Sequence, residues 1–231
     1  MLIVFMITIL TMVLLIFYVK QKNYRASIYY ALTHNKMLKV MFDKGKYGEY
    51  LTSRIIEKHA LKSHKQLLNV YILKKNSQDW TEVDLLYIDR TGLYVIESKN
   101  YSGWIFGNEA QQQWTQTMKN NKKFKFYNPI RQNATHIRAI QKFLGLPDEI
   151  FHSVIVFSER CVLKKVEVKS ENVYVLKREN LKRFIATRNQ SSKQVFTQHE
   201  IESIYKKLRP QMHVTEIVKA QHLQTIQQKY K

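Results

Sequence analysis

An uncharged apolar run near the N-terminus constrains this chain more than any other sequence feature. Leu2 to Val19 spans 18 residues, all apolar or aromatic except Thr8 and Thr11. As a helix, the run would reach roughly 27 Å, close to the ~30 Å hydrocarbon core of a bilayer. Residues 1–19 are therefore predicted to form a transmembrane anchor. A cleaved signal peptide and a buried core helix are the alternatives.

Basic residues follow this run, and none precedes it. Lys20, Lys22 and Arg25 come directly after the span. The positive-inside bias therefore predicts a single-pass protein of the cell membrane, with its N-terminus outside and its long C-terminal part in the cytoplasm. Residues 20–43 form a basic juxtamembrane segment, interpreted either as helices at an anionic membrane surface or as a solvated linker.

The composition of the whole chain is strongly basic. Lys and Arg number 38 against 18 Asp and Glu, so the formal net charge is +20. Such an excess indicates a polyanionic partner. The single cysteine, Cys161, excludes an intrachain disulfide framework and a zinc site built from cysteines.

Hydrophobic periodicity after residue 44 predicts a mixed α/β domain. No compositional boundary follows, so residues 159–231, with their strand and helices, are expected to extend the same domain. A turn is expected at 76–79. In chain order, the predicted elements are a helix at 46–59, strands at 67–73, 83–88, 93–99 and 104–106, a further short strand or loop at Trp114, a helix at 129–144, strands at 152–157 and 173–176, and helices at 181–186, 200–208 and 214–227.

Charged side chains end an otherwise apolar strand in a predicted hairpin. Because strand side chains alternate between faces, Glu97 and Lys99 project on one side and Ser98 on the other. Asp84, on the preceding strand, falls near their level if the two strands pair. Two adjacent acids repel each other, and a divalent cation such as Mg²⁺ or Mn²⁺ removes that repulsion. On this geometry alone, a surface salt bridge is the alternative.

Five motifs around this hairpin resemble those of the nuclease-related domain (NERD) family, within the PD-(D/E)xK nuclease superfamily. The resemblance implies a restriction-endonuclease-like mixed sheet flanked by helices, with residues 44–158 as the nuclease domain. The motifs, in order, are Gly45-Lys46-Tyr47-Gly48-Glu49, Glu82-Val83-Asp84, Gly92 to Gly103, Trp114, and Asn128 to Asn133.

The same resemblance implies roles for individual residues. Asp84 and Glu97 would bind the metal, Mg²⁺ or Mn²⁺, and Lys99 would position or activate the attacking water. Glu49 would reach the outer shell of the metal; otherwise it caps its own helix or pairs with Lys46. Gln132 would contact the site or the substrate backbone; otherwise it is structural.

Three further residues are expected to have no catalytic role. Glu82 is interpreted as a solvent-exposed carboxylate, although it shares a face with Asp84. Trp104 and Trp114 are interpreted as core residues rather than as platforms for base stacking.

A stretch without Asp or Glu, from Ala110 to Pro147, is the predicted nucleic-acid surface. Its basic residues are interleaved with aromatic ones, which suits phosphate contacts together with base stacking. A generally basic surface is the alternative. The residues assigned to nucleic acid are Lys119, Lys122, Lys123, Lys125 and Arg131.

The sequence therefore predicts a membrane-anchored, metal-dependent nuclease that hydrolyses phosphodiester bonds of DNA or RNA. One alternative is a catalytically inactive, membrane-tethered module that binds nucleic acid or anionic lipid. Another is an adaptor for other membrane proteins. The pattern favours no particular oligomeric state.

Overall fold

A computed structural model of the chain describes residues 1–74, 79–191 and 193–229. The predicted turn at 76–79 therefore lies, except for Asp79, outside the described residues. The helices are α1 (Leu2–Arg25), α2 (Ile28–Thr33), α3 (Met37–Phe42), α4 (Lys44–His59), α5 (Pro129–Leu144), α6 (Arg178–Ser191), α7 (Gln198–Leu208) and α8 (Glu216–Lys229). The strands are β1 (Lys65–Leu73), β2 (Trp80–Asp89), β3 (Gly92–Lys99), β4 (Gly103–Asn108), β5 (Gln113–Thr117), β6 (Lys123–Tyr127), β7 (Phe151–Phe157), β8 (Cys161–Glu167) and β9 (Val173–Lys177).

The larger of two sheets has five strands in the order β1-β2-β3-β7-β9. The first three pair antiparallel, whereas β3, β7 and β9 pair parallel. Helices α5 and α7 pack on one face, and α2, α3, α4 and α6 pack on the other. Because both faces are covered, the central strands are continuous apolar runs without alternation. The predicted mixed α/β architecture is confirmed.

A second sheet has four strands in the order β6-β5-β4-β8. Trp114 of β5 is fully buried and stacks on Phe157 of β7, with ring centroids 6.1 Å apart and ring planes within 5°. The two sheets therefore share one apolar cluster, and the core position predicted for Trp114 is confirmed. The core position predicted for Trp104 is wrong, because this side chain is 38% exposed on β4.

Helix α1 has two parts with different surroundings. Among the described residues it is the one helix long and apolar enough to cross a membrane, judged by length and composition alone. The hydroxyls of Thr8 and Thr11 bond back to carbonyls one turn earlier, which satisfies them without water. At the C-terminal end, Tyr24 is 2% exposed and packs against Tyr29 and Tyr50. The last turn of α1 is thus part of the folded domain.

Candidate active site

The C-terminal end of β3 and the adjacent part of β2 bring three charged residues together. Lys99 Nζ lies 2.7 Å from Glu97 Oε1. Asp84 Oδ2 accepts a hydrogen bond from the Ser98 backbone N–H at 2.9 Å. The Ser98 hydroxyl lies 3.5 Å from that of Thr52 on α4, on the opposite face of the sheet. The alternation of the strand therefore directs Glu97 and Lys99 to one side.

Helix α5 supplies two further side chains to this cluster. Gln132 Oε1 accepts a hydrogen bond from Lys99 Nζ at 3.0 Å. One turn later, His136 Nε2 lies 3.2 Å from Glu97 Oε2, and its Nδ1 lies 2.7 Å from the Thr81 hydroxyl. Each oxygen of the Glu97 carboxylate thus has a partner of its own.

The start of α5 is fixed by its cap, which sets the position of these two side chains. Asn128 Oδ1 accepts the N–H of Ile130, and Pro129 occupies the first helical turn. The Asn128 amide also donates to backbone carbonyls of the β4–β5 connection, at residues 108, 109 and 111. The helix is therefore tied to the second sheet at the edge of the site.

Helix α4 brings Glu49 to the same region. Asn69, whose φ of 51° is left-handed, donates to both Glu49 Oε2 at 3.5 Å and Glu82 Oε1 at 3.2 Å. The cap of α4 is Asp43, which also pairs with Lys46 at 3.0 Å. The cap of α4 and the ion-pair partner of Lys46 are thus Asp43 and not Glu49, and the role of Glu49 at the site stays a prediction.

Glu82 is not the solvent-exposed carboxylate that the sequence analysis expected. Its side chain is 28% exposed, and Oε2 lies 3.8 Å from His222 Nε2 of α8. The His222 ring packs edge-on against Tyr71, and its Nδ1 lies 3.0 Å from the carbonyl oxygen of Trp80. The expectation was wrong because α8, distant in sequence, covers this part of β2.

The carboxylates of the cluster differ in their pKa values. Burial, with Glu97 and Glu49 nearby, raises the pKa of Asp84 well above its usual range. Burial and Glu82 raise the pKa of Glu49 to about 7. Burial alone would also raise the pKa of Glu97, but Lys99 and His136 outweigh it and lower this pKa to about 2. Glu97 therefore remains ionised, whereas negative charge on Asp84 is disfavoured.

A cavity of about 530 Å³ lies beside this cluster. Lys99, Gln132 and His136 form one part of its wall. The β5–β6 hairpin contributes Lys125, and α8 contributes His222. Residues from three separate parts of the chain thus enclose the space into which Lys99 projects.

The residues predicted to bind nucleic acid lie on or near the β5–β6 hairpin, and all are exposed. Of these, Lys125 lines the cavity, and Lys123 lies on the same face of β6 because it is two residues away. Lys119 and Lys122 lie in the turn of the hairpin. Arg131 Nη2 donates to the Ala110 carbonyl at 2.8 Å. The five side chains therefore form a loose basic surface.

The carboxylates of the cluster have the donor chemistry of a divalent-metal site only in part. Within residues 1–74, 79–191 and 193–229, no group of three or more His, Cys, Asp and Glu side chains is arranged to hold a metal ion. Asp84 and Glu97 offer the hard oxygen donors that such ions prefer, and a cation would offset both the burial and the repulsion from Glu97 that raise the pKa of Asp84. The two carboxylates are therefore the chemical type of ligand that a divalent ion binds, although Glu97 already contacts Lys99 and His136.

Several members of the cluster were not predicted from the sequence. His136 had a usable signal, because it lies one helical turn after Gln132 and therefore shares its face of α5. Asn69 and His222 had none, since neither belongs to a motif and each reaches the site through tertiary packing.

Comparison with known proteins identifies the family. Residues 44–158 match the nuclease-related domain, NERD. An uncharacterized protein of Bacillus anthracis is 36% identical over 162 residues, which cover 70% of this chain and 74% of the relative. The chain belongs to the nuclease-related domain family.

The resemblance predicted from the five motifs is thereby confirmed. Membership in NERD indicates a nuclease-like function and, in general, use of a divalent metal and of nucleic acid. The roles of individual site residues remain predictions. Among solved structures, that of the protein of unknown function AF1548 covers 79% of this chain and 96% of its own. It is 10% identical with a TM-score of 0.36, a likeness too distant to indicate a shared fold.

Proposed function

We propose that this protein is a membrane-anchored, divalent-metal-dependent nuclease that hydrolyses phosphodiester bonds of DNA or RNA. The observation that carries the proposal is the convergence of Asp84, Glu97 and Lys99 beside one basic cavity. Membership in NERD supports it. A strand that ends in Glu97 and Lys99, beside Asp84 of the neighbouring strand, instead of in further apolar residues, incurs a desolvation cost that a catalytic role accounts for.

Each residue of the cluster has a distinct part in this proposal. Asp84 and Glu97 would hold Mg²⁺ or Mn²⁺, which when bound supplies an acidified water and neutralises charge on the phosphate. Lys99 lies in the cavity wall, and Glu97 outweighs the effect of burial and raises the pKa of Lys99, so it stays protonated. Its ammonium can orient the attacking water and balance charge that develops on phosphate oxygens. Gln132 fixes the position of that ammonium, and Glu49 adds negative charge behind Asp84.

The β5–β6 hairpin is the proposed contact surface for the nucleic acid. Lys125 lines the cavity and Lys123 lies beside it, so both can approach phosphates next to the bond that is cut. Phe124, on the opposite face of the same strand, is 51% exposed and is available for base stacking. No base-reading motif accompanies them, so the contacts favour binding without sequence specificity.

The membrane part of the proposal rests on α1. Its apolar part would cross the cell membrane with the N-terminus outside, because Lys20, Lys22 and Arg25 all lie at the domain end. The nuclease domain would then face the cytoplasm.

A specific observation favours a second candidate, an inactive module that binds nucleic acid. Lys99 and His136 contact both oxygens of Glu97 and hold its pKa at about 2, so its charge is balanced by the protein itself. Such a closed ion pair is what a degenerate site would retain for stability.

A cleavage assay separates the two candidates. The full chain, in mild detergent, is incubated with single- and double-stranded DNA and RNA, with Mn²⁺ or with a chelator. The whole chain is needed because Tyr24 at the end of α1 is buried in the domain. Metal-dependent cleavage is expected, and Lys99→Ala should slow it roughly 10³-fold because the ammonium is lost from the site.

The matched control is Lys165→Ala, because Lys165 on β8 has a side chain that is 77% exposed. It should cut like the wild type. Equal cleavage by Lys99→Ala would refute the assigned site. Binding that weakens with salt but never leads to cleavage would favour the inactive module.

A further inference from the structure

A second cavity, of about 340 Å³, lies where α1 joins the domain. It shares no lining residue with the cavity beside Lys99. Lys20 and Asn23 of α1 form one wall, and the other walls come from α3 and α4. No acidic side chain is among the described residues that line it.

The lining combines cationic and apolar groups. Lys20, Arg54 and Lys58 supply three positive charges, and Met37, Met41 and the aromatic rings of α4 supply the apolar part. The Arg54 guanidinium already pairs with Glu57 of the same helix. Lys20 and Lys58 form no ion pair with any described residue, so their charges are available to a ligand. A ligand that satisfies this lining is anionic at one end and apolar at the other.

The position of the cavity identifies the source of such a ligand. The uncharged run of α1 ends at Val19, and Lys20 in the cavity wall is the next residue. If α1 crosses the bilayer, the cavity therefore opens at the level of the phospholipid headgroups.

Helix α3, next to the cavity, carries apolar side chains that the domain does not cover. Leu38 is 52% exposed, Met41 43% and Phe42 86%. Met37 and Val40 of the same helix are buried in the core. An exposed apolar side beside the base of a membrane helix is suited to the interfacial layer of the same bilayer.

We propose that this cavity binds the headgroup of an anionic phospholipid from the bilayer that α1 enters, while α3 dips into the interface. The phosphate contacts Lys20, Lys58 and Arg54, and the glycerol and upper acyl chains contact the apolar lining. The inference rests on the membrane anchoring proposed above and not on nuclease activity. It assigns the basic juxtamembrane segment to a bound lipid rather than to a solvated linker.

Lipid retention by the full chain tests the headgroup site. The protein is reconstituted in nanodiscs of phosphatidylcholine alone or mixed equally with phosphatidylglycerol, extracted into detergent, and examined by native mass spectrometry. The wild type should retain phosphatidylglycerol in preference to phosphatidylcholine. The double variant Lys20→Gln/Lys58→Gln should weaken that preference roughly thirtyfold.

The matched control is Lys206→Gln/Lys207→Gln, which removes the same charge from exposed residues of α7 on the far face of the five-stranded sheet. It should retain the lipid like the wild type. Equal loss in both double variants, or no preference in the wild type, would overturn the proposal. Displacement of the lipid by inorganic phosphate at matched concentration would overturn the lipid assignment in favour of a soluble phosphate.

Fluorescence quenching tests the depth of α3 independently. Phe42→Trp in vesicles with brominated acyl chains should be quenched, whereas Phe143→Trp, at a 43% exposed position on α5, should not. Equal quenching at both positions, or none at 42, contradicts the dipping of α3.

Nuclease activity is measured in parallel and should be unchanged by Lys20→Gln/Lys58→Gln, so failure of the lipid site and failure of the nuclease proposal are distinguishable.

Discussion

The two sheets of this protein differ in what they bury. Both faces of the five-stranded sheet are covered by helices, and β7 is buried along its whole length. The four-stranded sheet has one covered face, which carries Ile105 and Trp114; Trp104 on the other face is exposed, as is Phe124 on the edge strand β6. The charges of the candidate active site lie at the end of the first sheet. Four of the five predicted nucleic-acid contacts lie on the β5–β6 hairpin of the second, and the fifth, Arg131, lies on α5.

This difference separates two kinds of charge. Glu97 is 2% exposed and requires Lys99 and His136 to remain ionised, so the buried sheet fixes each charge in one geometry. Lys123 and Lys125 are exposed and need no partner, so the solvated sheet offers charge without fixed geometry. Hydrolysis of one particular bond requires charges that are held in a fixed geometry. Contact with a phosphate backbone of any sequence requires only accessible, solvated charge.

The largest expected effect is at the junction of the two sheets. Phe157→Ala should lower the free energy of unfolding by about 3–5 kcal/mol, because the fully buried ring stacks on Trp114 and its loss leaves a cavity. Phe124→Ala on the exposed strand should change it by less than about 0.5 kcal/mol. Unfolding of the full chain in detergent measures both. Similar losses at both positions would show that the sheets do not differ in burial as described.

The next effect concerns a buried histidine of β7. Burial, with Arg188 beside the ring, lowers the pKa of His152 to about 4. As the pH falls from about 6.5 toward 4, the unfolded chain binds a proton that the folded chain does not, so stability should fall by about 3 kcal/mol.

The His152→Gln variant tests this effect, because glutamine can accept a hydrogen bond from Arg188 without titrating. In the variant, the free energy of unfolding should lose the pH dependence that comes from protonation of His152. Thermal unfolding across this pH range is the measurement, and an unchanged slope in the variant would contradict the assignment.

A smaller effect is expected at His136, which we assign as a positioning residue for Glu97. His136→Ala should lower kcat about 10–100-fold with little change in KM, because it frees one oxygen of Glu97. His136→Gln should restore part of the rate, since its amide can still donate. Lys142→Ala, at an exposed position of α5 outside the cavity, is the control. A change confined to KM, or to stability, would contradict a positioning role.

The smallest effect is expected on the exposed sheet. Lys123→Gln/Lys125→Gln should weaken binding similarly for all sequences and reduce the slope of log affinity against log salt by about 2. The double variant Lys206→Gln/Lys207→Gln serves as the charge-matched control. Filter binding over a range of salt concentrations measures the slope, and an equal decrease in both double variants would indicate general charge instead of a contact surface.

Much of the five-stranded sheet could be predicted from the sequence. Its strands β2, β3 and β7 are apolar runs bounded by turn residues, and the predicted bounds at 83–88, 93–99 and 152–157 fall within or at the observed ones. Strands β6 and β8 were missed because lysines interrupt their apolar residues. These two segments form strands because they hydrogen-bond to the neighbouring strands β5 and β4. The local sequence pattern does not show that such neighbours will be present.

The part of the candidate site that lies on the β2–β3 hairpin could also be predicted from the sequence. Alternation along β3 places Glu97 and Lys99 on one side, and hairpin pairing brings Asp84 near. The expected exposure of Glu82 was wrong because α8 covers it, and no local signal relates α8 to β2.

The sequence by itself determined the apolar helix, the family and the three charged residues at the hairpin. These features depend on apolar runs and residue spacings within short segments, and side-chain periodicity and hydrophobicity are enough to predict them. The tertiary structure alone decided that Glu97 is shared between Lys99 and His136, that the basic hairpin belongs to a second sheet, and that Lys20 faces α4 across a cavity. These contacts join residues far apart in the chain, and their energies come from burial and charge that exist only once the domain is packed.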